Sequence, residues 1–298
     1  MTLSPPRDKS MPHIPVMVEE VLSYLNINPA GIYVDGTVGA GGHTIQILNQ
    51  LNGEGSLIGF DRDHEALAIA KKTIPISSRV SLNCASYHTL PDFLEKHGSN
   101  LVNGILLDLG LSSMQLDDEK RGFSFSKKGL LDMRFDQNSD RGASTIINHS
   151  SEQELADIMY HFGEERLSRR IAKSIVKQRP IADVEGLFEA IRTATPPQNR
   201  NKTLARVFQA FRIAVNGELE KLDHFLSSFI DTLAIGGRIV IMSYHSLEDR
   251  RVKHIFRALK RDGRLNVLNK KPVMAQQDEM DTNPRARSAK LRAAERIK

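Results

Sequence analysis

Three aspartates in the first 110 residues each close a short apolar run. Asp35 follows Ile32 to Val34, Asp61 follows SLIGF, and Asp108 follows Asn103 to Leu107. Three glycines, Gly39, Gly41 and Gly42, come just after the first of them, and the helix-like segment TIQILNQL follows. A strand that ends in a glycine-rich turn and passes straight into a helix leaves backbone N–H groups open to a ligand. A carboxylate at the Asp61 position of a doubly wound sheet can accept hydrogen bonds from both ribose hydroxyls of an adenosine group. The glycine spacing excludes two common ligands. A Walker phosphate loop needs Lys and then Ser or Thr after its last glycine, and here His43 follows Gly42. The dinucleotide fingerprint GxGxxG fails on the GxGG spacing, which weighs against a nicotinamide-linked oxidoreductase. A purely structural glycine turn stays open at this point.

The elements that must carry these residues are legible from periodicity. Apolar residues at helical spacing in VMVEEVLSYL predict a helix from Val16 to Leu25. Strands are expected at about Ile32–Asp35, Ser56–Phe60, Arg79–Asn83 and Asn103–Leu107, with helices between them. Such alternation implies an α/β, Rossmann-like sheet with right-handed crossovers and ligands at its carboxyl rim. After Asp108 the rhythm breaks into a long turn-rich stretch followed by helical patterns punctuated by Pro180 and Pro196-Pro197. The expected organisation is a first sheet segment at 1–117, an inserted, mainly helical lobe at 118–206, and a second sheet segment at 207–298. In that last part Gly236-Gly237 ends a helix, Arg238–Ser243 forms a strand, RLNVLNKKPV makes a hairpin, and NPRARSAKLRAAERIK is a basic tail only partly ordered when free.

Bulk properties bound the function. The chain has 298 residues, 40% of them apolar and 26% charged, as expected of a globular protein. No apolar run reaches the roughly 20 residues of a membrane span, and the first dozen residues read as a flexible leader without the apolar core of a signal peptide. The single cysteine, Cys84, excludes an internal disulfide and a multi-cysteine metal site. Formal charge is +5, and the segment from Arg250 to Lys298 holds fifteen Lys or Arg against five acids. Segregated cations of this kind suit a polyanion, and a solvated charged surface is the plain alternative.

Taken together, HIPVMVEEVL, YVDGTVGAGGH, GFDRDHEAL, GILLDLGLSSMQLDDEKRGFSF, LLDMRFD, LADIMYHFGEERLSRRIAKSIV, FQAFRIAVNGELEKL, GGRIVIMSYHSLEDRRVK and NPRARSAKLR resemble the RsmH (MraW) family of bacterial 16S rRNA (cytosine-N4)-methyltransferases. The resemblance covers nearly all of the chain from His13. It departs at Asn201–Ala205, where the family has an HPAT-like segment, and at Leu130, where a proline is usual. It implies a class I S-adenosylmethionine-dependent methyltransferase that methylates the exocyclic N4 of a decoding-centre cytosine. S-adenosyl-L-methionine is then the cofactor, 16S rRNA in the small ribosomal subunit the partner, and the cytoplasm the location. Metal is not expected, and the resemblance leaves monomer or homodimer open.

Site residues follow from the resemblance and from chemistry. Asp35, Gly39, Gly41, Gly42, His43, Asp61, Tyr87, Asp108 and Gln115 are the expected cofactor set. Asp35 either orients the cofactor's amino group or is structural; His43 either contacts the ligand or caps the loop; the Tyr87 ring either lies on the cofactor or belongs to the core. Cytosine N4 is a poor nucleophile because its lone pair is delocalised into the ring. An acceptor aimed at its hydrogens localises that pair in the transition state. Asp108 can supply it, or can instead only hold the cofactor. Substrate candidates are Ser112 and Ser113 beside it, Arg134 and Arg212 for phosphate contact or for joining the two lobes, and Tyr244 and His245 in SYHSLEDR. Phe123, Phe125 and Tyr244 are possible platforms for the base, and Ser246 a helix cap. Methylation at cytosine C5 needs an attacking cysteine, and Cys84 on the third strand is misplaced for it.

Overall fold

The computed structural model describes residues 15–75, 77–98 and 101–298, so the leader falls outside the described residues. The chain opens with α1 (Val18–Leu25). It then alternates β1 (Ile32–Asp35), α2 (Gly42–Leu48), β2 (Ser56–Asp61), α3 (His64–Thr73), β3 (Val80–Cys84), α4 (Leu90–Lys96) and β4 (Val102–Asp108). A short α5 (Ser113–Asp117) leads through non-helical chain into α6 (Ala143–His149), α7 (Glu152–Gly163), α8 (Ser168–Lys177), α9 (Val184–Ala194) and α10 (Arg200–Asn216). The remainder is α11 (Glu218–Ser228), β5 (Leu233–Ser243), α12 (Ser246–Arg261), β6 (Leu265–Val267), α13 (Gln277–Thr282) and β7 (Lys290–Arg296).

The strands form one seven-stranded sheet in the order β3-β2-β1-β4-β5-β7-β6. β1 to β5 run parallel, and β7 lies antiparallel to both of its neighbours. Inner parallel strands are covered on both faces, so β4 and the end of β5 read as continuous apolar runs with no alternation. On one face Phe225 of α11 and Phe229 just after it pack with Phe60 and Ile241; on the other, Val21 and Leu25 of α1 pack with Tyr33 and Leu291. The chain winds outward in one direction from β1 and in the other from β4. A crevice therefore opens at their carboxyl ends, where the strand order reverses. This is the class I methyltransferase sheet that the resemblance implied.

Helices α6 to α10 have their own core, in which Met159, Ile171, Ile175, Leu187, Val207 and Phe211 are fully buried. Phe123, Leu131 and Met133 from the non-helical stretch pack into it. α10 runs unbroken through position 206, where the sequence reading ended the lobe, because its apolar three- and four-residue spacing continues through Val207, Phe208 and Phe211. It stops at Gly217, whose φ of +57° allows the left-handed turn into α11. Asn216 ties the lobe's loop down, donating to the Met133 carbonyl at 2.7 Å and accepting from the Phe135 amide at 2.8 Å.

The C-terminal reading needs correction. Lys290–Arg296 is an interior strand, and Leu291, Ala293 and Ala294 are fully buried. The β6 partner is this distant segment, so RLNVLNKKPV makes no local hairpin. Some cations of the C-terminal segment are spent on internal pairs, Arg292 with Asp249 at 2.6 Å and Arg264 with Asp231, and its Glu295 takes Arg238 of β5 at 2.8 Å. The alanines explain the misreading, since small side chains on both faces give no alternating apolar signal. β5 also begins earlier than expected, at Leu233; Gly236-Gly237, read as a helix stop, lies inside it, where the register against β4 shifts. Among the described residues no helix is long and apolar enough to cross a membrane.

Burying a lone carboxylate in this strand should be costly. Ala294→Asp is expected to lose roughly 3 kcal/mol or more in urea unfolding, while exposed Lys298→Ala should stay within about 0.5 kcal/mol. Equal midpoints for the two variants would mean that the segment is not part of the folded sheet.

Candidate active site

The turn between β1 and α2 is held by carboxylates from below. Asp35 is buried; its Oδ1 accepts from the Thr37 amide at 3.0 Å and its Oδ2 from the Thr44 hydroxyl at 2.6 Å. Burial pushes its pKa up, with the Thr44 and Thr37 bonds opposing. Gly39 at φ +54° and Gly41 at φ +91° take backbone conformations that L side chains rarely adopt. Gly41 is the N-cap of α2, and Gly42 and His43 begin that helix. The Gly39 amide donates to Asp61 Oδ2 at 2.7 Å, and the Asp63 amide to Asp61 Oδ1 at 2.9 Å. Asp61 is thus anchored through one bond to each oxygen, and each oxygen retains a lone pair. Burial raises its pKa to about 6.

β4 delivers Asp108 to the same rim. Its amide donates to Thr37 Oγ1 at 2.7 Å, which locks the end of β4 to the glycine turn. Its Oδ2 stands 3.9 Å from His43 Nδ1. His43 Nε2 lies 2.8 Å from the Val16 carbonyl and must donate to it, so an imidazole in its neutral form would turn a bare Nδ1 toward Asp108. Two acceptors facing across that gap can share an N–H donor such as an ammonium group. On the other side, the Tyr244 ring covers Gly110, where any Cβ would meet ring carbons at 2.7 and 2.8 Å. Burial first, then the charge of Asp108, push the Tyr244 phenol well above its ordinary range.

An open cavity lies at this rim. Of the expected cofactor residues, Gly39, Gly42, His43, Asp61, Tyr87, Asp108 and Gln115 border it; Asp35 and Gly41 lie just behind, supporting the turn. Tyr87 follows β3 and packs edge-on against Phe225 at 5.4 Å. Gln115 is bound on both ends, its Nε2 donating to Asp63 at 2.9 Å and its Oε1 accepting from the Ser112 amide at 3.0 Å. Ser112 caps α5, accepting from the Gln115 amide at 3.1 Å, and also borders the cavity. The backbone of Ser113 opens α5; its side chain is outside the described set.

Other candidates lie elsewhere. Arg134 forks onto Asp132 at 2.8 and 2.7 Å and donates to the Gln137 and Ser139 carbonyls, so it closes its own loop. Arg212 is forked onto Glu218 at 2.9 Å for both bonds, joining α10 to α11 below the surface. Phe123 stacks on Phe135 within the lobe core, and half-buried Phe125 meets Phe208 edge-on against that core; neither ring borders the cavity. His245, not Ser246, is the N-cap of α12, and the Ser246 hydroxyl donates to Glu164, the C-cap of α7. His245 Nε2 lies 3.1 Å from Glu248 Oε1, whose other oxygen accepts from the Tyr244 amide at 2.9 Å. Burial would raise the Glu248 carboxyl, but the charges of His245 and Arg212 outweigh it and hold the group low. Glu218, His245 and Glu248 bring potential ligand atoms within 4.8 Å of one another. Arg212 already engages the Glu218 carboxylate, and the Tyr244 and His245 amides engage that of Glu248.

Several residues that the sequence reading passed over shape this site. Asp63 is fully buried, caps α3, and pairs with Arg121 at 2.7 Å. Burial alone would raise it, yet the bonds from Arg121 and Gln115 hold its carboxyl below the usual range. Phe135 reaches back from the lobe to border the cavity, with the Arg62 guanidinium over its ring at 5.6 Å. Glu218, Lys221 and Glu248 line the far wall. The Asp61-x-Asp63 spacing was a usable cue; the Arg121 and Phe135 contacts span more than fifty residues and left none.

Residues 10–297 match the family described as the MraW methylase family. The "Ribosomal RNA small subunit methyltransferase H" of Thermosipho africanus is 47% identical over 96% of this chain and 98% of its own length. The protein of the same name from Kosmotoga olearia is 47% identical over 96% and 97%, and that from a Cyanothece strain 45% over 96% and 95%.

Asp61 must be ionised to accept two hydroxyls at once. With its pKa raised to about 6, affinity for an adenosine-bearing ligand should be flat above about pH 7 and fall by up to tenfold per unit below about pH 6. Calorimetry with S-adenosylhomocysteine between pH 5 and 8 measures this. An affinity still flat at pH 5 would remove Asp61 from the binding role.

Proposed function

The chain belongs to the MraW methylase family, and we propose that it transfers a methyl group from S-adenosylmethionine to the exocyclic N4 of a specific decoding-centre cytosine in 16S rRNA. The observation that carries this reading is the convergence of Asp61 from β2, Asp108 from β4 and the glycine turn after β1 on one cavity at the strand-order reversal. Relatives of near-equal length, each named as a small-subunit ribosomal RNA methyltransferase, supply the substrate class. The proposed partner is the small ribosomal subunit and the proposed location the cytoplasm. The inserted helical lobe, roughly 118–206, is proposed to read the RNA.

The residues present fit the cofactor. The glycine turn lets backbone approach the methionine end. Asp61 keeps lone pairs for the ribose hydroxyls after bonding Gly39 and Asp63. The facing acceptors of His43 and Asp108 suit the α-ammonium group, and Tyr87 bounds the pocket beside them. Gly41 and Asp35 keep the turn in shape from behind. Bound there, S-adenosylmethionine supplies an electrophilic methyl whose bond to sulfur breaks as one to N4 forms.

The protein's part is orientation and electrostatics. The Asp108 carboxylate, held from below by the Gly110 amide at 3.3 Å, accepts from an N4–H. Electron density then shifts toward nitrogen, and the proton released during or after transfer has an acceptor. Tyr244, kept protonated, lies on the same carboxylate's flank, and Ser112 helps to shape the mouth. A second reading, an RNA-binding assembly factor that retains cofactor without turnover, rests on the departure at Asn201–Ala205.

Methyl transfer to 30S particles lacking the modification, followed by nucleoside mass analysis, is the decisive experiment, with product expected at cytosine N4. Cofactor binding without product on a competent particle would favour the assembly factor. At saturating cofactor, Asp108→Asn should lower kcat by about 10²-fold; unchanged turnover would remove its proposed role.

A further inference from the structure

A second concavity lies between the lobe and the sheet domain, away from the cofactor cavity. Its walls come from the end of α7, the turn into α8, the start of α10 and the outer face of α12. Four cations border it: Arg166, Lys202, Arg206 and Arg250. The two carboxylates among them are engaged. Glu164 takes Arg250 at 2.9 Å and the Ser246 hydroxyl, while buried Glu165 faces Arg206 at 3.5 Å. Arg166 and Lys202 are exposed and have no ion pair among the described residues. Tyr160 stands at the same groove with 57% of its surface exposed, far more than an aromatic ring needs for packing.

Lys202 and Thr203 belong to the segment in which this chain departs from its family's usual pattern, and that segment forms one wall of the groove. The opposite wall is α12. Leu247 and Arg250 face the groove, whereas Glu248 between them borders the cofactor cavity. One helix therefore separates the two concavities.

We propose that this groove holds the backbone of a single-stranded RNA segment beside the target base, with Arg166 and Lys202 on phosphates and Tyr160 stacking a neighbouring base. Unpaired cations with an exposed aromatic ring are the elements that sequence-tolerant single-strand binding uses. The proposal rests on the rRNA reading and gives it a surface.

The test compares the full-length wild type with the Arg166→Ala/Lys202→Ala double variant. Binding of a short single-stranded RNA is followed by anisotropy over a salt series. Loss of two phosphate contacts should weaken binding on the order of tenfold and flatten the log–log salt slope by about 1.4. Tyr160→Ala should weaken binding severalfold with the slope unchanged. With 30S particles the double variant should raise KM while leaving kcat and cofactor affinity as in the wild type. RNA affinity and salt slope equal to the wild type would overturn the groove, as would a photocrosslinker at position 160 that captured a ribosomal protein instead of rRNA. Wild-type protein that bound RNA through these residues but methylated no particle would sink the methyltransferase reading and leave the groove standing.

Discussion

The site depends on how the chain satisfies the backbone amides of a very tight turn. Between Asp35 and Gly42 the backbone has no helix or sheet partner for several N–H groups, and burying them unpaired would cost about 1–3 kcal/mol each. Strand carbonyls of Leu106 and Phe60 take the Gly36 and Val38 amides, and two carboxylates take the next ones: buried Asp35 the Thr37 amide and half-buried Asp61 the Gly39 amide. The second of these also faces the cavity, so the group that shapes the turn is the one proposed to meet the ligand. Its raised pKa reflects the burial needed to do both.

A second set of buried charges extends this order outward. Asp63 lies two residues beyond Asp61 and receives Gln115 from α5 and Arg121 from the start of the lobe. Arg121 also donates to the carbonyl of Arg134, next to Phe135 at the cavity wall. The lobe is therefore wired to the acidic end of β2 by hydrogen bonds. Asn216 adds another strut from α10. Removing one partner of a buried pair such as Asp63 and Arg121 strands a charge in the interior, which makes the junction rigid.

The same logic accounts for the arginines. Arg134 and Arg212 looked suited to phosphate, yet both are forked onto carboxylates close by in sequence. A guanidinium between a carboxylate and several carbonyls braces a fold as readily as it grips a ligand. Residue type alone did not distinguish the two uses. The cations left without an ion pair, such as Arg166 and Lys202 among the described residues, are those whose neighbours carry no spare carboxylate.

Much of the sheet and its rim was legible in the chain. Continuous apolar runs ending in Asp35, Asp61 and Asp108, with GxGG after the first, define strands and a turn through local chemistry. That information is carried within a few residues, where steric and hydrogen-bonding preferences act. The place of β7 was not legible, because KLRAAER owes its strand to β5 and β6 flanking it, and small alanines fit a strand covered on both faces. Nor were the partners of Asp63, the reach of Phe135, or the shared face of Tyr160, Lys202 and Arg250. Those depend on segments far apart in the chain being brought within a few ångströms, and only the packing of the lobe against the sheet decides that.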